Sequence, residues 1–273
     1  MSEHAEKASR FLALHRGERP LLLPNPWDRG SAKLLASLGF QALATTSSGY
    51  AATLGRLDGS VTRDEALGHA ASIVAATALP VSADLENAFA DEPAGVAETL
   101  RLALQAGLAG CSVEDFSGRE DAPIYDAGLA AERVAAAAEI AHGGGPVHLV
   151  LTARAENYLH GRRDLPDTIS RLQAYQEAGA DVLYAPGLSR LEDIRQVVAS
   201  VDRPVNVLAL PGAPAVPELA AVGVSRVSVG GAFAFAALGA VVEAARELLE
   251  EGTYTFWERA GTGSRAARSA FAG

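Results

Sequence analysis

Eight times along the chain, a short run of apolar and β-branched residues gives way to a polar or glycine-bearing loop and then to helical spacing. The runs are RPLLLPNP, FQALATTSS, LPVSADLEN, AGCSVEDF, PVHLVLTARAE, ADVLYAPG, RPVNVLALPG and VSRVSVGGAF. Most are continuously apolar rather than alternating, as a strand must be when helices cover its outer face and side chains fill its inner one. Between them the spacing predicts helices from Trp27 to Leu38 and over 62–78, 93–106, 128–142, 166–178, 190–200, 214–222 and 231–250. Gly39, Gly107, Gly179 and Gly223 follow helices where a left-handed stop is needed before the next strand. A doubly wound open sheet shares this pattern, but eight units of about 30 residues match a closed (β/α)8 TIM barrel more directly. The expected organisation is one barrel domain over 1–250, including an N-terminal helix, with 251–273 as a mobile or subunit-contacting C-terminal tail.

The composition supports a large core: 49% of the 273 residues are hydrophobic and 21% charged. A formal charge of -10, without basic patches, argues against nucleic acid and anionic lipid as partners. The single cysteine, Cys111, excludes an intramolecular disulfide and a thiolate metal cluster and suits a reducing cytoplasm. It reads as a small buried hydrophobe. No secretory signal precedes the first strand, and the Ala-rich AFAFAALGAVVEAARELLE soon gains Glu and Arg, so a packed amphipathic helix is expected there rather than a membrane span. The expectation is a soluble cytoplasmic protein.

In a barrel, the C-terminal strand ends carry the chemistry, and the unusual polar residues fall there. They are Asn25 and Asp28, Thr45 to Gly49, Asp84 and Glu86, Glu114 and Asp115, Arg154 and Glu156, and Asn206. Strand periodicity points Asp84 and Glu86 the same way. Facing inward they repel unless a cation or a buried arginine compensates them. With Glu114 on the next strand, an all-oxygen set suits Mg2+ or Mn2+; a salt-bridge cluster on Arg154 is the alternative. In ATTSSGY, the amides and hydroxyls around Ser47, Ser48 and Gly49 can form a concavity for a carboxylate or phosphoryl oxygen, or an ordinary polar turn. Asp58, between Gly55 and Gly59, sits on a loop that can close over a ligand and deliver an acid, base or anchor; an Asp-Gly turn is the plainer reading. Arg154 can pair a substrate carboxylate or an oxyanion, or simply balance charge. Asn206 either satisfies a buried hydrogen bond or contacts ligand, and Tyr50 is a candidate assistant in catalysis. None of the six histidines forms H-x-H or HExxH, so His142 and His160 read as surface positions and zinc is not expected.

These motifs in this order, LLLPNPWDRGSAKLLASLGFQALATTSSGYAATLGRLDG, VSADLENAFAD, GCSVEDF, VLTARAEN, GADVLYAPG and PVNVLALPG, resemble the isocitrate lyase/phosphoenolpyruvate mutase superfamily. The resemblance implies a (β/α)8 barrel whose last helix is exchanged between partners in a homodimer or homotetramer. It also implies bound Mg2+ and a 2-oxo acid, with a bond made or broken at the carbon beside the carbonyl. Asp84 matches the main metal-contacting aspartate, while Glu86 and Glu114 match acids that act through water. Asp58 matches a gating-loop aspartate, Ser47, Ser48 and Gly49 an anion-binding turn, Arg154 an arginine near the substrate, and Asn206 an asparagine of the methylisocitrate lyase branch.

Departures from the family pattern limit the reaction that can be carried over. Where the lyases carry K-[KR]-C-G-H, this chain has DFSGREDAPIYD, and Cys111 lies before Glu114 rather than in that loop. Pro186 stands where those lyases have a glutamate and the mutase a histidine, and the mutase-like K-x-x-x-x-N feature is missing. The expected activity is therefore a Mg2+-dependent lyase that cleaves or decarboxylates a small 2-oxo or 2-hydroxy dicarboxylate through a pyruvate-like enolate. Phosphonopyruvate mutase or hydrolase chemistry and a non-catalytic 2-oxo acid-binding barrel are the alternatives.

Overall fold

Each apolar run yields a short parallel strand, and the polar residues at its end spill into the loop that follows. The computed structural model describes residues 2–143 and 145–272. In chain order the elements are α1 (Glu3–Leu14), β1 (Leu21–Leu23), α2 (Arg29–Ser37), β2 (Leu43–Ala44), α3 (Ser47–Thr53), α4 (Arg63–Val74), β3 (Val81–Asp84), α5 (Pro93–Gln105), β4 (Gly110–Glu114), α6 (Ala127–His142), β5 (Val150–Arg154), α7 (Leu165–Glu177), β6 (Val182–Tyr184), α8 (Leu191–Ala199), β7 (Val205–Leu208), α9 (Val216–Ala221), β8 (Arg226–Ser228) and α10 (Ala232–Arg246). A π-helical turn (Glu247–Glu251) then leads to α11 (Trp257–Phe271).

The strands follow one another around a (β/α)8 barrel, with β8 returning to β1. Closure between β1 and β2 rests on loop contacts: Ala44 N donates to Pro24 O at 3.1 Å and Asn25 Nδ2 to Thr45 O at 3.0 Å. Asn25 Oδ1 also accepts from Val229 N and Gly230 N, so one buried amide ties three strand ends together at the C-terminal mouth. The second strand is only two residues long, because the Thr46 hydroxyl accepts from Gly49 N and starts α3 at Ser47. The run ATTSS, expected as strand, is therefore mostly helix start.

Helix α1 closes the opposite, N-terminal end. Phe11 is fully buried there, clustered with Leu21 and Leu23 of β1, Val150 of β5 and Val182 of β6, a burial that stabilises by about 1.5–3 kcal/mol. A Cβ on Gly110 would sit 2.7 Å from the Phe11 ring and 2.8 Å from Val150 O, so this close approach requires glycine. Cys111 is buried among aliphatic side chains, as the small-hydrophobe reading expects, and burial pushes its thiol far above the ordinary range.

The last two helices depart from the repeat. Helix α10 runs off the barrel with Ala234 as its one buried residue, leaving Phe235, Leu238, Val241 and Val242 exposed. Helix α11, within the segment expected as a tail, returns to α2, where the Phe271 ring lies against Gly30. Among the described residues, no helix is long and apolar enough to cross a membrane.

Candidate active site

Strand register assembles the site. Glu114, Arg154, Tyr184, Asn206 and Arg226 are successive register partners across β4 to β8, so one row of side chains crosses half the barrel interior. Above this row, at the C-terminal mouth, lies a cavity of about 200 Å3. Its walls include Thr45, Ser47, Ser48, Asp58, Asp84, Arg154, Tyr184, Asn206 and Gly230.

Arg154 is the hub. Its Nη1 lies 2.9 Å from Asp84 Oδ1, its Nη2 3.1 Å from Glu114 Oε2, and its Nε 2.8 Å from Glu156 Oε1. Burial lowers a guanidinium pKa, but Glu156, Glu114 and Asp84 reverse this and hold Arg154 well above its usual value. Burial pushes Glu114 and Glu156 up, with Arg154 opposing. Glu86, outside the guanidinium's direct reach, is raised to about 7, first by burial and then by Asp84 and Asp58. Three acids thus share one guanidinium, with a fourth beside them, and burial favours the protonated form of Glu86, Glu114 and Glu156.

Asp84 is fixed by its neighbours. Its backbone N donates to Thr45 Oγ1 at 3.0 Å and its Oδ2 accepts from Ser47 N at 3.2 Å. Glu86 reaches the mouth by a different route from the one expected. The strand ends at Asp84, and Glu86, Ala88 and Phe89 all take left-handed φ values of 50°, 59° and 56°. Such a conformation in a non-glycine residue costs about 1–2 kcal/mol, so the turn is held in place by its surroundings: Glu114 N donates to Glu86 O at 3.0 Å and Asn87 Oδ1 accepts from Phe89 N at 2.9 Å. Strand alternation therefore does not orient Glu86. It lines a crevice toward α4 with Tyr50 and His69, beside the main cavity.

The remaining sequence candidates divide. Ser47, Ser48, Asp58, Arg154 and Asn206 all line the main cavity. Gly49 does not: a Cβ there would meet Thr46 Cγ2 at 2.6 Å, and its amide is used by the Thr46 cap, so the glycine is needed for packing. Tyr50 is likewise turned away, stacked on His69 at 3.9 Å between ring centroids. Asp58 is on an exposed loop, its Oδ1 accepting from Gly59 N. Asn206 is spent internally, accepting from Arg226 Nε at 2.9 Å and donating to Ser228 Oγ at 3.0 Å. The 116–128 segment turns back on itself through a Phe116–Ile124 bridge, and Pro186 is buried outside the cavity wall.

Two cavity residues escaped the sequence reading. Tyr184 is buried with the Arg154 guanidinium 5.3 Å from its ring centroid, and burial raises its hydroxyl to about 12, so it remains a donor. Arg226 is buried without a carboxylate partner among the described residues and bonds Asn206, Thr152 Oγ1 at 3.0 Å and His15 Nε2 at 3.1 Å. Burial lowers Arg226 to about 10, and His15, whose Nδ1 lies 2.8 Å from Phe11 O, is lowered to about 3 by burial and by Arg226. A polar aromatic at a strand end was the available signal for Tyr184; an arginine inside an apolar run was the signal for Arg226.

The donor set fits a hard divalent cation in one respect and limits it in another. All its donors are oxygens, and carboxyl groups dominate them, as Mg2+ or Mn2+ prefers. Yet Arg154 stands between Asp84 and Glu114, and among the described residues these acids do not converge at ligand spacing. That arrangement suits an ion that keeps several waters and takes one carboxylate directly. The triad that does converge is His142, His148 and Asp181, at the opposite end of the barrel. His142 is therefore no ordinary surface histidine, contrary to the sequence reading. His160 is half-buried, stacked on Phe116 at 3.8 Å.

The profile of the phosphoenolpyruvate phosphomutase family matches residues 11–249. The chain belongs to that family. This phosphoenolpyruvate phosphomutase family member is an enzyme of the isocitrate lyase/phosphoenolpyruvate mutase superfamily. A crystal structure of a Burkholderia cenocepacia J2315 protein, described provisionally as a lyase/mutase, is 54% identical with a TM-score of 0.91, covering 94% of this chain and 92% of that one. An uncharacterised Mycobacterium tuberculosis protein is 33% identical over 238 residues, 86% of this chain and 87% of its own length. The 2-methylisocitrate lyase of Halalkalibacterium halodurans is 30% identical over 210 residues, 73% of this chain and 66% of its own length.

Proposed function

We propose that this family member is a Mg2+-dependent carbon–carbon lyase that cleaves or decarboxylates a small 2-oxo or 2-hydroxy dicarboxylate. The observation that carries the reading is the cluster of carboxyl groups at the mouth, where Asp84, Glu114 and Glu156 share the guanidinium of Arg154 and Glu86 lies in the adjoining crevice. Asp84, which lines the cavity, would hold the ion directly, with Glu86 and Glu114 holding it through water. When bound, the ion supplies Lewis-acid stabilisation of charge on the substrate's carbonyl oxygen.

The chain's own residues do the rest. The hydroxyls of Ser47 and Ser48 orient the carboxylate beside that carbonyl. As the scissile bond breaks, its electron pair passes to a pyruvate-like enolate; the fixed positive charge of Arg154 favours this anion over the neutral ground-state carbonyl. Tyr184 keeps its proton and offers it as a hydrogen bond. Asp58, exposed at the rim, takes the proton of a substrate hydroxyl or returns one to carbon. A cavity of about 200 Å3 restricts the substrate to a small acid.

A homodimer or homotetramer with exchanged C-terminal helices completes the proposal, with 1–250 as the barrel unit and the remainder as a subunit-contacting extension. The apolar face of α10 and the uncovered outer side chain of Leu22 on β1 support it. A cytoplasmic location agrees with the reduced, buried Cys111.

The test is turnover of oxaloacetate, substituted malates and phosphonopyruvate with Mg2+ and after chelation. Cleavage of an oxo or hydroxy dicarboxylate that is lost on chelation supports the proposal; undiminished turnover in the metal-free protein contradicts the metal's role. Asp58 at the rim and the provisional lyase/mutase relative favour one second reading, carbon–phosphorus chemistry, for which phosphonopyruvate would be the preferred substrate. Tight oxalate binding without any turnover would favour a barrel that only binds.

A further inference from the structure

At the N-terminal end of the barrel, away from the cavity, three side chains from separate parts of the chain meet. His142 ends α6, His148 precedes β5 and Asp181 precedes β6. His142 Nε2 lies 2.9 Å from Asp181 Oδ2, and His148 Nε2 lies 3.0 Å from Asp181 Oδ1. One donor atom from each residue falls within 4.8 Å of the other two. The imidazole rings are stacked, with centroids 4.2 Å apart and planes 10° from parallel.

We propose that this triad is a second cation site, separate from the catalytic mouth, which takes a transition ion of the Zn2+, Co2+ or Ni2+ class through two imidazoles and one carboxylate. The spacing supports it. Two donors each about 2.1 Å from an ion, at a right angle, stand about 3.0 Å apart. In a tetrahedron the separation is about 3.4 Å; the imidazoles now stand 2.9 and 3.0 Å from the two carboxylate oxygens, so only a small shift of the carboxylate is needed. The rings must only tilt out of parallel until their Nε2 atoms converge, and His148, 41% exposed on a connecting segment, is free to do so.

Donor chemistry sets the class of ion. Imidazole suits zinc, nickel and cobalt, whereas magnesium prefers oxygen and water. The oxygen-rich mouth and this nitrogen-rich triad therefore select different ions. The carboxylate is also held in place: Leu151 N donates to Asp181 Oδ2 at 2.9 Å, an orienting contact of the kind that supports metal ligands. Partial exposure of both imidazoles leaves a path for entry and room for waters to complete the shell. An ion there would tie the end of α6 to the starts of β5 and β6.

The experiment uses the full chain, stripped with chelator and then kept in saturating Mg2+ so that oxygen sites are filled. Zn2+ and Co2+ are titrated calorimetrically, and crystals grown with Zn2+ are measured at the zinc edge. The expected result is one tight zinc equivalent, with an anomalous peak between His142, His148 and Asp181. His148→Ala and His142→Gln should each weaken binding by at least the roughly 10–100-fold seen when a supporting partner is lost, with Mg2+-dependent turnover unchanged. Absence of a peak at the triad, with zinc elsewhere or unbound, overturns the proposal, as does equal affinity in both variants. If either variant folds poorly, the anomalous peak in the wild-type crystal decides alone.

Discussion

Replacing Arg154 with Gln should expose the charge balance at the mouth more sharply than any other single change. The guanidinium, 14% exposed, holds Asp84, Glu114 and Glu156, which are 17%, 10% and 3% exposed. Removing one partner of a buried ion pair costs about 3–5 kcal/mol, roughly two to three and a half powers of ten in the folded-to-unfolded ratio. The loss should depend on pH, with a definite sign. Without Arg154, burial drives Glu114 and Glu156 further above their unfolded values. An acid with a raised folded pKa stabilises the fold below its unfolded value, and that contribution is lost as pH rises toward the folded one. The deficit should therefore widen from about pH 5.5 to about pH 7.5, as the unfolded chain gives up protons that the variant's buried carboxyls keep. Urea unfolding of wild type and variant in magnesium-free buffer at both pH values measures this. A deficit below about 1 kcal/mol, or one of equal size at both pH values, would refute Arg154 as the counter-ion of this cluster.

Other predictions follow from the same geometry. Because Glu86 titrates at about 7, only about 9% of it is ionised at pH 6 and about 91% at pH 8; Mg2+ affinity by calorimetry should rise about tenfold over that interval, and Glu86→Gln should flatten the profile. Asp58→Ala should cut turnover by about 100-fold or more while leaving the melting temperature nearly unchanged, since the side chain is exposed; an equal fall in stability would make Asp58 structural. Tyr184→Phe should lower kcat more than it raises KM if the hydroxyl stabilises the developing anion, and an effect confined to KM would remove it from that role.

The barrel was legible because its repeat is written in apolar spacing, which burial on both faces of a parallel strand demands. Asp84, Glu114 and Arg154 were legible for a related reason: charges at the ends of such strands have few places to go. Glu86 was misread in mechanism, since three left-handed residues after Asp84 break the two-residue period. Gly49 and Tyr50 belong to a helix that Thr46 starts early, so their chemistry faces packing rather than cavity. Tyr184 hid in an apolar strand, where an aromatic reads as core. The histidine triad had no motif to find, because closure of the barrel brings Asp181 to His142 and His148 from 39 and 33 positions away. The departure of α10 was equally hidden: its apolar face reads the same whether it covers its own barrel or another's.

A crystal structure with Mg2+ and oxalate decides whether Asp84 holds the ion at the mouth, because oxalate mimics a planar pyruvate enolate. The ion is expected about 2.1 Å from an Asp84 oxygen, with waters bridging it to Glu86 and Glu114 and oxalate within hydrogen-bonding distance of Ser48 and Arg154. An ion and oxalate bound away from Asp84, with Arg154 still closed on its three carboxylates, would contradict this role of Asp84.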